Sequence, residues 1–332
     1  MSFRVSADTP QSLLQKAHCR ICDRGESVFL CNHCDVVPYC SREHMMTDKA
    51  AHRRVCRKIN QARVFVNDCD AGLQGRARYD WNEDTDSPWQ WPSFNRYMKA
   101  RRLELETLMT AESYEAYEKA WLQAREMLLL ANIDQLEIDF YLPYLLLRMG
   151  KEQELYDFLK WYESHVPDQH FRDFENNNAE YKNADFFGPV DIFCRPYSDL
   201  NTAFTVMLLK GKILLDLQKL LDEPGRDVSQ VITNRLNDAS VVHHDSQHRW
   251  LIYHTDAQIR QLFRAIKQTW PWMWSAFLRP HRHLKTDYYG WIEGTEMEVC
   301  FALQRTHKLW KLMPEVIEMF RGLALHDRQT PI

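Results

Sequence analysis

Residues 19–56 read CRICDRGESVFLCNHCDVVPYCSREHMMTDKAAHRRVC, and the cysteine and histidine spacing in this stretch decides the N-terminal fold. Six of the chain's nine cysteines fall inside it. Two CxxC pairs, Cys19/Cys22 and Cys31/Cys34, each bring two thiolates to one tight turn. Cys40/His44 follows as C-x3-H and His52/Cys56 as H-x3-C. On a helix, that spacing puts both side chains on one face, one turn apart. Structural zinc takes four sulfur or nitrogen ligands in a closed tetrahedron, so these eight donors are enough for two structural zinc ions. His18 and His33 stand beside or inside the CxxC turns but are surplus to the eight and are expected to face solvent. A disulfide framework is disfavoured, because residues 1–18 carry no apolar run of a secretory signal. A redox CxxC needs a strand–helix setting that this stretch lacks.

The order of the pairs resembles the MYND-type zinc finger. That pattern runs C-x2-C, a gap, C-x2-C-x4-Y-C-S-x2-C, seven residues, then H-x3-C. The chain carries Tyr39-Cys40-Ser41 at the core of it and His52-x3-Cys56 at its end. RING fingers end in C-x2-C, and HIT-type fingers have a shorter gap before the last histidine. The resemblance implies a cross-brace, with Cys19, Cys22, Cys40 and His44 on one zinc and Cys31, Cys34, His52 and Cys56 on the other. Three positions depart from the pattern. His44 stands where the family usually has cysteine, and imidazole serves zinc as well. Met45 and Lys49 stand where the family often has Gln and Trp, the residues that help its members grip proline-rich peptides. The resemblance therefore implies partner proteins, proline-rich peptides among them, with weak binding expected for the latter. A finger of this size buries little core, so metal binding carries most of its folding free energy. Chelation is expected to unfold residues 18–57 and spare the rest.

The whole chain has 332 residues, 45% hydrophobic and 27% charged, with a formal charge of −4. Eleven tryptophans and sixteen phenylalanines suffice for a real core, and ten glycines and thirteen prolines argue against a disordered chain. Mild acidity disfavours a dedicated nucleic-acid binder. The basic run Arg53–Lys58 reads as the solvated face of the second ligand helix. No run is long enough to cross a membrane. Reduced, metal-bound cysteines place the chain in the cytoplasm or nucleus.

The fold class is mainly α: a small N-terminal zinc-stabilised finger, then a larger all-helical domain. Residues 1–17 read as a flexible tail, 18–58 as the finger, 59–92 as a linker and 93–327 as the helical domain. Ser93 is expected to cap a helix through Leu108. Ser113–Leu130 carries a helical stripe, and Gly150 follows Leu136–Met149 as a C-cap signal. These short helices also resemble tetratricopeptide-type hairpins, without a 34-residue repeat. Residues 164–198 read as a long loop. Leu200–Leu221 is apolar almost all round and reads as the central enclosed helix, capped from Ser198 or Asp199. Thr255 with Gln258 reads as a capping box, and Thr295 with Glu298 as another helix start. His244 and His248 lie four apart but lack nearby acidic or cysteine partners, so a metal reading is disfavoured. Trp270, Trp272, Trp274 and Phe277 read as core packing rather than a peptide groove. Cys69, Cys194 and Cys300 read as small core residues.

Function follows from the finger. A closed four-ligand site leaves no position for water or substrate. The chain lacks a phosphate loop, GxSxG and HExxH. The Asn-His-Ser-Cys and Gly-Glu-Glu segments of the SET-MYND lysine methyltransferases are absent as well. The expectation is a zinc-binding, non-enzymatic protein–protein interaction protein, adaptor or regulatory. The alternatives are a lysine methyltransferase-related enzyme and a DNA-associated transcriptional regulator.

Overall fold

The computed structural model describes residues 14–74, 89, 91–130, 136–164, 181–196, 198–222, 245–285 and 294–329. The protein is mainly α, and these residues fall into two compact units, one ending at Met149 and one beginning at Gly150. The only sheet among the described residues is the hairpin of β1 (Phe29–Leu30) and β2 (Pro38–Tyr39). It is antiparallel, with Phe29 opposite Tyr39 and Leu30 opposite Pro38.

The first unit is built on α1 (Arg42–Gln74), a helix of 33 residues. The Ser41 hydroxyl accepts from the His44 N–H at 3.2 Å, which starts the helix as an N-cap side chain does. No proline interrupts it. Asp48, His52, Ile59, Ala62 and Cys69 recur at helical spacing on its buried face. The expected linker at residue 59 is therefore helix as far as Gln74. Its acidic run at 80–88 lies outside the described residues.

α1 packs on α2 (Pro92–Met109), and α2 packs on α3 (Tyr114–Leu130). Pro92 opens α2, where a missing N–H costs nothing. Ser93 makes no cap; its hydroxyl is buried without a partner. Trp89 is buried edge-on against Phe94 at 5.3 Å. α4 (Leu142–Arg148) completes this unit, and Gly150, at φ 67°, follows it. Leu14 to Ala17, expected in a loose tail, are tied down. The Leu14 N–H donates to Arg148 O, Lys16 pairs with Glu118, and the Ala17 N–H donates to Glu115.

The second unit holds α5 (Glu152–Ser164), α6 (Leu200–Asp222), α7 (Asp245–Thr269), α8 (Met273–Leu278), α9 (Pro280–His283), α10 (Glu296–Trp310) and α11 (Pro314–Gln329). α6 is its enclosed centre and packs against α5, α7, α10 and α11. Asp199 caps it, accepting from the Thr202 N–H at 2.7 Å. Phe204 lies within 6.4 Å of the Trp274, Phe277, Trp310 and Phe320 rings. Trp270, Trp274 and Phe277 are core, and Trp272 is exposed. Thr295 caps α10 as its spacing predicts.

The capping box at Thr255 and Gln258 is not made, because α7 begins ten residues earlier, at Asp245. Gln258 instead donates to the carbonyls of Phe187 and Gly188 and accepts from Lys210. That role could not be read from spacing. No described helix is long and apolar enough to cross a membrane.

Candidate metal centre

Each CxxC turn closes in the same way. The Asp23 N–H returns to Cys19 O and the Asp35 N–H to Cys31 O, both at 2.8 Å. Asp23 and Asp35 both take φ 57°, the left-handed conformation that aspartate tolerates better than most residues. Two identical turns thus present Cys19/Cys22 and Cys31/Cys34. The β1–β2 hairpin carries Cys40 just past its second strand, and α1 carries His44, His52 and Cys56.

The ligand atoms of Cys19, Cys22, Cys40 and His44 all lie within 4.8 Å of one another, and so do those of Cys31, Cys34, His52 and Cys56. This is the interleaved pairing that the family resemblance implied. Zinc–sulfur bonds of about 2.3 Å at tetrahedral angles set sulfurs roughly 3.8 Å apart. Cys22 and Cys40 are 3.5 Å apart and Cys31 and Cys56 are 3.9 Å apart. His44 turns Nδ1 to Cys19 at 3.5 Å and Cys40 at 3.2 Å, whereas His52 turns Nε2 to Cys34 at 3.4 Å. The donor chemistry and spacing fit zinc in both tetrads.

The electrostatics agree. Burial raises the Cys19 thiol, but N–H groups of Ile21, Cys22 and Cys40 outweigh it and bring it down to about 6. Burial and the neighbouring thiols push Cys40 up to about 11 and Cys56 up to about 12. Sulfurs this close repel one another as thiolates, and a divalent cation among them reverses that sign. Burial also lowers His52, which keeps its imidazole neutral, the form that ligates.

Around the ligands lies a set of supports that ligand spacing did not reveal. The Tyr39 hydroxyl donates to Asp48 at 2.6 Å, and Arg20 sits 3.3 Å from the same oxygen. Arg63, two turns beyond Cys56 on α1, donates to Cys34 O at 2.6 Å. From α3 and its approach, Ser113 donates to Val36 O and Lys119 pairs with Asp35 at 2.5 Å. Arg20 donates to Ala111 O at 2.7 Å. Arg63 was findable only by seeing α1 as continuous. His33 is exposed, as expected; His18 is half-buried, holds Lys16 O at 2.8 Å and belongs to neither tetrad. His248 is buried on α7 and, among the described residues, joins no metal-ligating group; His244 lies outside them.

Two closed tetrads on one hairpin and one helix define a two-zinc, MYND-like finger. Residues 16–67 match the family described as the zinc-finger of mitochondrial splicing suppressor 51. No curated protein and no solved structure matches the chain.

Proposed function

We propose that the chain is a non-enzymatic adaptor that binds other proteins through its zinc finger. The closed tetrads carry this reading: with four protein donors on each, a zinc ion has no open position for water or substrate and acts as a structural brace. Free thiols throughout support a reducing compartment, and we read this as the cytoplasm or nucleus. The matched family's description names a mitochondrial splicing suppressor, so imaging the tagged full chain against compartment markers decides the location.

The function is tested with the zinc-loaded full chain. Elemental analysis is expected to give two zinc ions per chain, calorimetry no heat with S-adenosylmethionine, and a peptide panel specific binders. Saturable S-adenosylmethionine binding would turn the reading to a methyltransferase. Duplex DNA bound in preference to every peptide would turn it to a DNA-associated regulator.

A further inference from the structure

A cleft of about 900 Å³ runs along the outer face of α1 beside the second tetrad. Met45 and Met46 line one end and Val64 the other, with Lys49, Arg53 and Arg57 between them. The three cations are exposed and recur every four residues, so they stand in one row. Among the described residues no carboxylate lines the cleft, and none of the three makes an ion pair. Met46 is 58% exposed and Val64 57%.

We infer that this cleft takes an extended acidic peptide of a partner protein, with an apolar side chain at each end and carboxylates between. The inference rests on the adaptor reading and names the partner's chemistry. Charge complementarity selects the occupant: three unpaired cations in a row call for an anionic ligand. Length sets the register. Met46 and Val64 lie about 27 Å apart along the axis at 1.5 Å per residue. An extended peptide covers that span in about eight residues. Cations one per four helix residues repeat every ~6 Å. Carboxylates on alternate peptide residues repeat every ~6.6 Å, so the two rows match. Methionine and valine at the ends, with no Phe, Tyr or Trp ring in the lining and His33 its one exposed imidazole, favour a peptide over nucleic acid. Lys49 in the row and Met45 beside it distinguish this cleft from one built for proline-rich segments.

The test is fluorescence anisotropy on the zinc-loaded full chain with three labelled probes of matched length. One is a leucine-flanked peptide alternating glutamate and serine, one is proline-rich, and one is single-stranded RNA. The acidic peptide is expected to bind best, and to weaken as salt rises. Lys49→Glu with Arg53→Glu is expected to weaken it on the order of tenfold or more. Met46→Ser is expected to weaken it at constant salt dependence. All three positions are exposed, and unchanged zinc content verifies the fold. Acidic-peptide binding that ignores the charge reversal overturns the inference, as does RNA binding more tightly than the peptide. If only the proline-rich probe binds, the charge argument falls and the adaptor reading stands; if no peptide in any panel binds, both fall.

Discussion

At Tyr39 one hydroxyl carries a connection that the zinc ligands cannot make. It is fully buried and donates to the buried Asp48 carboxylate, tying the hairpin to α1 between the two tetrads. Tyr39→Phe leaves Asp48 with Arg20 as its remaining partner. Under-satisfying a buried carboxylate costs about 1–3 kcal/mol. The variant is expected to keep two zinc ions per chain by elemental analysis and to unfold at lower denaturant. Loss of one zinc would instead assign the hydroxyl to metal retention. A second residue, Lys210, is fully buried on α6. It donates to Gln258 at 2.8 Å and to Phe186 O, and sits over the Phe186 and Tyr156 rings. Burial lowers it from 10.5 to about 7; Asp185 opposes that shift and Lys160 adds to it. A base with a depressed folded pKa binds fewer protons folded than unfolded between those two values. Its stabilising contribution is full above 10.5 and is lost as pH falls to about 7. Denaturant titrations are expected to show the second unit gaining stability as pH rises across that window, by up to about 1.4 kcal/mol per pH unit. Lys210→Met is expected to flatten the slope.

At the scale of elements, α6 shows how tightly the second core is set. A Cβ on Gly211 would meet Val316 Cγ1 of α11 at 2.5 Å and Met319 at 3.1 Å. Met319 meets it with its mobile terminal Cε, but Val316 is a buried, branched side chain, and the buried Phe320 ring stands 3.2 Å away behind it. Gly211→Ala is expected to overpack the α6–α11 contact and cost about 1–3 kcal/mol, despite alanine's better helix propensity. Thermal melts by circular dichroism check this; a raised midpoint would show that α11 shifts freely. Much at this scale was legible. An almost wholly apolar run gave α6, and Thr295 with Glu298 gave the start of α10. What escaped depended on contacts distant in sequence. Ser93 met the local rule for a cap, but Pro92 had already begun the helix. Gln258 matched a capping box, yet its partners lie some seventy residues back, at Phe187 and Gly188. The linker reading began at 59 because the ligand motif ended just before it. The buried face of α1 kept its spacing through Cys69.

For the whole molecule, the grouping of eight donors into two tetrads was legible, because metal coordination imposes spacing that few other structures need. How the finger joins its neighbours was not, since a carbonyl acceptor leaves no mark in sequence. A separate finger would unfold alone on chelation. Here α1 carries three ligands and continues unbroken to Gln74, packing on α2 all the while. Arg20, Asp35, Val36 and Cys34 are all held by groups from Arg63, Ala111, Ser113 and Lys119. Removing zinc takes away the tetrads' contribution, on the order of 10 kcal/mol per site in isolated finger peptides. That exceeds what the roughly five turns of α1 beyond Cys56 and a handful of hydrogen bonds can hold. Hydrogen exchange with a chelator is therefore expected to lose protection through residues 18–74 and at the start of α3. α6, in the other unit, buries its own apolar surface and is expected to keep its protection. Loss confined to residues 18–57 would mean that α2 alone stabilises the far half of α1. Loss that reaches α6 would mean that the two units unfold as one.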